Sequence, residues 1–294
     1  MHGICEPTLN RRRFLRGGLA WATGVATLGP DRVLGAGRKE CTRWAFLSDT
    51  HVAPDPDHRY RGFHPYRNLR EIVGQIADNL PDGVVITGDL AWSKGETGSY
   101  RNLQSLLAPL QSRCPVHLGL GNHDDRMDFS WVFGGVLCNG LTVPHRQIAT
   151  AVAGPLRLIV LDSLLIDRAA GLLGEAQRTW LKAFLDASDD RPTILFVHHR
   201  PKIDLLDTPL LFDIIVPMAN VKAVVYGHSH EFRLAECEGI HMINLPATGF
   251  TMSAGEPVGW VDARLTDKGG EFTLHALGGN RRLDGYRARL PWRV

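Results

Sequence analysis

Five short polar motifs follow one another in this chain, each at the end of an apolar run: Asp49-Thr50-His51, Gly88-Asp89, Gly121-Asn122-His123-Asp124, His198-His199 and Gly227-His228-Ser229-His230. The runs before them (44–48, 83–87, 116–120, 193–197 and 221–226) are short and apolar, as buried strands are. Side chains of this kind gather in the crevice beyond the carboxyl ends of strands in α/β sheets. The pattern therefore demands strands that bring their ends to one place.

Between the runs lie segments with helical spacing. Leu69, Ile72, Val73, Ile76 and Leu80 follow Pro65, a residue tolerated in the first turn. Leu103, Leu106, Leu107 and Leu110 predict a helix over 99–111, and Trp180, Leu181, Phe184 and Leu185 one over 174–187. Thr208-Pro209 opens another by the cap-plus-proline rule. Run 156–161, ending at Asp162, is a further strand. The C-terminal part reads as shorter strands with Gly-rich turns, and predicts a second sheet packed on the first. No internal repeat or long linker divides the chain, so residues 37–294 are expected to form a single α/β domain.

Apolar residues make up 44% and charged residues 22% of 294, which excludes disorder and supports a large core. A net charge of +2 gives no ground for nucleic-acid binding, and none is expected. The Arg-rich end (Arg281, Arg282, Arg287, Arg289 and Arg293) reads as a solvated face or tail. No apolar run is long enough for an ordinary membrane span. The N-terminus is nevertheless distinctive. Asn10-Arg11-Arg12-Arg13-Phe14-Leu15-Arg16 precedes a mildly apolar Gly/Ala/Thr-rich stretch and small residues near Gly35-Ala36-Gly37. This resembles a bacterial twin-arginine signal over residues 1–36. It implies export by the twin-arginine machinery to the periplasm or beyond, with the leader cleaved or retained as an anchor. Cys5 lies in that leader. Cys41, Cys114, Cys138 and Cys237 show no Cys-x-x-Cys pair, which leaves three full disulfide pairings or buried thiols.

The motifs supply imidazoles, carboxylates and an amide oxygen. Asp49 and His51 are two apart, so in an extended segment both face one side. Gly88 permits close backbone approach before Asp89, whose carboxylate has two oxygens and can bridge two cations. Asn122 offers a neutral oxygen; His198, His228 and His230 offer nitrogens. The mixed set suits two divalent transition-metal ions (Mn, Fe or Zn) better than Ca or Mg. The whole reads as a two-metal hydrolytic site.

The set resembles the calcineurin-like metallophosphoesterase superfamily over nearly all of residues 42–250, and within it the cyclic-nucleotide phosphodiesterase-like (class III) branch. Asn79-Leu80-Pro81-Asp82, Gly119 to Asp124 with Arg126, Leu161-Asp162-Ser163, Gln177 with Trp180-Leu181, and the double histidine His198-His199 carry that closer resemblance. It implies a four-layer α/β/β/α sandwich of two mixed sheets flanked by helices. It implies one metal on Asp49, His51, Asp89 and His230 and another on Asp89, Asn122, His198 and His228, with Asp89 bridging. His123 would be the catalytic acid, with Asp124 orienting its imidazole. Arg126 would contact substrate phosphate or be salt-bridged elsewhere, and His199 would sit at the site edge or be structural. A bridging hydroxide attacks the phosphorus in that mechanism, and His123 protonates the departing alkoxide.

Two departures matter. Trp92 stands where purple acid phosphatases carry a metal-binding Tyr, which disfavours a purple Fe(III) enzyme. Arg200 stands where Pro often follows the double histidine; it adds a phosphate contact or points to solvent. Residues 53–66, with Pro54, Pro56, Asp57, His58 and Arg59, wall the substrate pocket or form an ordinary surface loop. His2, His117, His145, His241 and His275 are expected to be structural. The leading expectation is hydrolysis of a small-molecule phosphodiester outside the cytoplasm. A phosphomonoesterase on the same site is the alternative, and a non-catalytic scaffold of the same fold a remote one.

Overall fold

The computed structural model describes residues 40–134 and 143–294. The predicted leader and Cys138 lie outside the described residues.

The first sheet has strand order β12-β11-β10-β1-β2-β3. Its parallel centre is β1 (Cys41–Leu47), β2 (Gly83–Ile86) and β3 (Val116–Leu118). Antiparallel to β1 runs β10 (Pro257–Thr266), followed by β11 (Gly269–Gly279) and β12 (Arg287–Pro291). The second sheet has order β4-β5-β6-β7-β9-β8. β5 (Leu156–Val160), β6 (Thr193–Phe196), β7 (Val221–Tyr226) and β9 (Ile240–Asn244) are parallel; β4 (Ala149–Ala153) and β8 (Arg233–Cys237) are antiparallel edges.

Helices cover the outer faces. α1 (Pro65–Asp78) starts at a proline, and the His64 ring caps it by accepting from Arg67 N. Its Leu69, Ile72, Val73 and Ile76 pack with Leu103, Leu106, Leu107 and Leu110 of α2 (Thr97–Gln111) against Ala45, Leu47, Val84 and Ile86 of the first sheet. α3 (Arg126–Phe133) is capped by the Asp125 carboxylate and adds Phe129 and Phe133. On the other side, Leu181 and Leu185 of α4 (Glu175–Asp186) and Leu211 and Ile215 of α5 (Thr208–Ile215) cover Ile159, Leu195 and Val224. Phe46, Val85, Val160, Phe196, Val225, Val261 and Phe272 fill the space between the sheets. Three apolar layers thus separate four layers of structure, an α/β/β/α sandwich. Among the described residues no helix is long and apolar enough to cross a membrane.

The C-terminal region differs from expectation. β10 and β11 are long strands of 10 and 11 residues, and they extend the first sheet. The second sheet is built from the middle of the chain. The cause is visible in β1, which is buried on both faces and needs a partner on each edge. β2 takes one edge and β10 the other.

Because β1, β2 and β3 are parallel, their carboxyl ends share one edge, as do those of β6 and β7. All five polar motifs leave from these ends.

Candidate metal centre

The two edges meet through side chains. Asp89 Oδ2, beyond β2, lies 3.3 Å from His198 Nε2, beyond β6. His51 Nε2, beyond β1, lies 3.1 Å from His230 Nε2, beyond β7. Asp49, His51, Asp89, His198 and His230 are all buried.

The local backbone departs from the extended segments expected. Asp49, His51, Asp89, His228 and His230 all have positive φ, between 45° and 70°. Asp49 and His51 therefore face one site because the chain coils tightly there. Gly227 has no room for a side chain: a Cβ would overlap the Ser48 hydroxyl. Gly88, at φ 151°, passes so close to Gly121 that a Cβ would sit 2.6 Å from Gly121 N.

Each carboxylate divides its oxygens. Asp49 Oδ2 accepts from the Ser48 hydroxyl and from His228 N, at 3.1 Å for the latter, while Oδ1 faces the site without a hydrogen-bond partner among the described residues. Ser48 is steadied by Thr87 at 2.6 Å. Asp89 Oδ1 accepts from His123 N at 2.9 Å, which turns Oδ2 toward His198 and, at 3.7 Å, His51.

The imidazoles are oriented by carbonyls. His230 Nδ1 donates to Phe250 O at 2.7 Å, and His123 Nδ1 to Trp92 O at 2.9 Å, since a carbonyl only accepts. Both Nε2 atoms are thereby left for the site. Burial drives His51 down to about 3. Burial also opposes a charge on His198, but the Asp89 and Asp49 carboxylates outweigh it and raise this imidazole to about 9. His230 is raised by Asp49 in the same way, against burial. Burial pushes Asp49 and Asp89 up, yet the neighbouring imidazoles hold both below the usual carboxylate range: His230 and His198 for Asp49, His198 and His51 for Asp89. Positive charge is what this pocket draws in.

The pocket fits metal. Ligand atoms of Asp49, His51 and His230 lie within 4.8 Å of one another, as do those of Asp89, His198 and His228 and those of His51, Asp89 and His123. Asp49 Oδ1, Asn122 Oδ1, His198 Nε2 and His228 Nδ1 are buried and have no hydrogen-bond partner among the described residues. Buried polar atoms left so are costly unless something binds them. Asp89 and His51 each belong to two of the groups, and of the two only the carboxylate can be shared between cations, since the His51 Nε2 has a single lone pair.

The remaining sequence candidates fall elsewhere. Asp124 does not orient His123. Its buried carboxylate accepts from Leu90 N at 3.1 Å, Ala91 N at 3.0 Å, Gly121 N at 2.9 Å and the Tyr100 hydroxyl at 3.1 Å. Burial and the nearby Asp89 push it up to about 6. It ties the Asp89 loop to the Asn122 loop, and the Trp92 carbonyl does the orienting instead. Arg126 is not aimed at a substrate: its fork grips Asp162 at 2.7 and 2.8 Å. Arg200 pairs with Asp204 at 2.7 Å, and that carboxylate stands 3.7 Å from His228 Nε2. His199 is buried, with Nδ1 on the Ser163 hydroxyl at 2.7 Å and its ring 4.9 Å from that of His228. Burial, then His198 and His228, keep it from taking a proton. Sequence reasoning missed Ser48, Thr87, Tyr100, Asp204 and Phe250. Their only signal was position, Ser48 and Thr87 each standing just ahead of a motif.

A crossed-edge cluster of imidazole, carboxylate and amide on an α/β/β/α sandwich defines a metal-dependent phosphoester hydrolase. Residues 42–232 match calcineurin-like phosphoesterase, and the chain belongs to that family. It is similar to a cAMP/cGMP dual specificity phosphodiesterase of Mycobacterium tuberculosis, 29% identical over 217 residues that cover 70% of this chain and 67% of the relative. It is also similar to a glycerophosphodiester phosphodiesterase of Enterobacter lignolyticus, 28% identical over 217 residues, covering 69% and 76%. Among solved structures, a dimetal phosphatase of Danio rerio shares the fold with a TM-score of 0.68 at 17% identity, covering 85% of this chain and 99% of that one.

Proposed function

We propose that the chain is a phosphodiesterase that works with two divalent transition-metal ions, Mn, Fe or Zn. One is held by Asp49, His51, Asp89 and His230, the other by Asp89, Asn122, His198 and His228. The observation that carries this reading is the convergence of partnerless buried donor atoms from both sheets, with Asp89 common to two groups. Relatives named as diesterases support the diester preference. When bound, the ions would supply Lewis acidity at the phosphoryl oxygens and make a water acidic enough to attack near neutral pH.

The chain's own residues do the rest. Asp49 and Asp89 bring negative charge into a buried pocket and draw in cations. His123, with Nδ1–H committed to the Trp92 carbonyl, acts as the acid in its doubly protonated form: the Nε2 proton passes to the departing alkoxide and leaves a neutral imidazole. Asp124 keeps the loops bearing Asp89 and Asn122 at a fixed separation. The twin-arginine pattern at Arg11 and Arg12 supports action on small phosphate esters outside the cytoplasm rather than on intracellular signals. Exchange of both arginines for lysine should leave the protein in the cytoplasm, which cell fractionation reads.

The deciding experiment compares metal-loaded and chelated protein on matched aryl phosphodiester and monoester substrates. Metal-dependent turnover with the diester favoured supports the reading. A strong monoester preference would show a phosphomonoesterase instead.

A further inference from the structure

Loop 53–66 joins two other segments to build a continuous aromatic wall beside the metal centre. Phe250 is buried with its ring 4.5 Å from His230 and 4.9 Å from His51. Tyr60 lies 4.8 Å from Phe250 and 4.9 Å from Trp92, and His58 lies 4.2 Å from Trp92. The wall runs outward from the imidazoles to the surface, where Tyr60 is 38% exposed. It also stands on the His123 side, since the Trp92 carbonyl holds that imidazole.

The wall is fixed in place. Tyr60 and Phe63 exchange both backbone hydrogen bonds across Arg61 and Gly62, at φ 50° and 82°, a tight primed hairpin turn. Asn102 of α2 donates to the carbonyls of Ala53 and Pro54, at 2.9 Å each. Arg61 donates to Met252 O and stands over the Tyr60 ring. The His58 Nε2 atom is buried and has no hydrogen-bond partner among the described residues. A half-open aromatic surface held rigid next to a polar site leaves apolar area in water, which a flat ligand would cover.

We propose that Tyr60 and Trp92, backed by Phe250 and His58, select phosphate esters that carry a planar aromatic or heteroaromatic ring. They do so by stacking on that ring while its phosphate occupies the metal centre. The inference rests on the phosphoesterase reading of the site and adds the ring preference, which would disfavour esters of glycerol and other ringless alcohols.

The test is calorimetry on metal-loaded protein with adenosine 5′-monophosphate and ribose 5-phosphate, which share a phosphate and a sugar and differ in the ring. Stacking on an aromatic side chain predicts that the ring-bearing ligand binds at least roughly tenfold tighter. Tyr60→Ala and Trp92→Ala should each bring that ratio down toward unity, and Tyr60→Phe should keep it. No preference in the wild type, or a ratio unchanged in both alanine variants, overturns the proposal. Turnover of bis(p-nitrophenyl) phosphate separates the two ideas. Turnover without a ring preference sinks the wall and leaves the phosphodiesterase; a ring preference without turnover does the reverse.

Discussion

Five of the seven candidate ligands occupy left-handed backbone, which costs a non-glycine residue of order 1–3 kcal/mol each. That strain persists because hydrogen bonds to Gly88 O, Asp89 O and Phe250 O hold the coils shut. The sequence displayed which residues would converge, yet not this backbone, because Asp-x-His reads equally well as strand or turn. Two predictions belong at this scale. His123→Ala removes the proposed proton donor and none of the seven proposed ligands. It should lower kcat by roughly 100- to 10,000-fold, with metal content by elemental analysis unchanged; an unaltered kcat would dismiss His123 as the acid. The second concerns protons. His198, raised to about 9, is protonated in the metal-free protein at neutral pH and must be neutral to bind metal. Metal uptake at neutral pH should therefore release protons, measurable in weak buffer, and affinity should weaken as pH falls. For the metal-free protein, the stabilisation from charged His198 is complete below its ordinary value of 6.5 and is lost as pH rises toward about 9. Its melting temperature should decline over that window.

At the scale of elements, the apolar runs foretold the strands well, because a strand buried on both faces is a simple pattern. β7 lies where its run predicted. α3 was not foreseen: it is short, and Trp131 on it is 77% exposed, so no apolar stripe marks it. Nor was the brace beneath the site. Tyr100, fully buried on α2, donates to Asp124 and accepts from Asp125 N at 2.8 Å. One phenol thus links a helix to the loop that bears Asn122 and His123. Nothing in the spacing of residues 89, 100 and 124 announces this, because the contact is tertiary. Tyr100→Phe deprives Asp124 of a donor and leaves Asp125 N unpaired, which should cost about 1–3 kcal/mol. The midpoint of denaturant unfolding reads that loss. Asp124→Asn is predicted to do more damage. An amide has one accepting oxygen, against three backbone N–H groups and a phenol that now share two. Weaker metal binding, read by calorimetry, should accompany its loss of stability.

At the scale of the molecule, the site is a seam. Asp49, His51, Asp89 and Asn122 come from the first sheet, and His198, His228 and His230 from the second. Behind the seam the sheets are joined by an apolar core; at the seam they meet through charged and polar groups. Two carboxylates buried together repel unless cations stand between them. In the metal-free protein the proton on His198 fills that role, and bound metal would fill it more strongly, linking the sheets. Removing metal should therefore destabilise the whole domain and loosen this edge most. With free metal at 100 times its dissociation constant, the linkage is worth about 2.7 kcal/mol, or a fall in melting temperature of roughly 5–10 °C on chelation for a domain of this size. Hydrogen exchange adds the spatial test. Amides of residues 48–52, 88–92 and 227–230 should exchange faster after chelation, while the buried centres of β1 and β6 change only with global unfolding. Equal acceleration everywhere would mean that the metal acts on overall stability alone, and that the apolar layer behind the seam carries the junction without it.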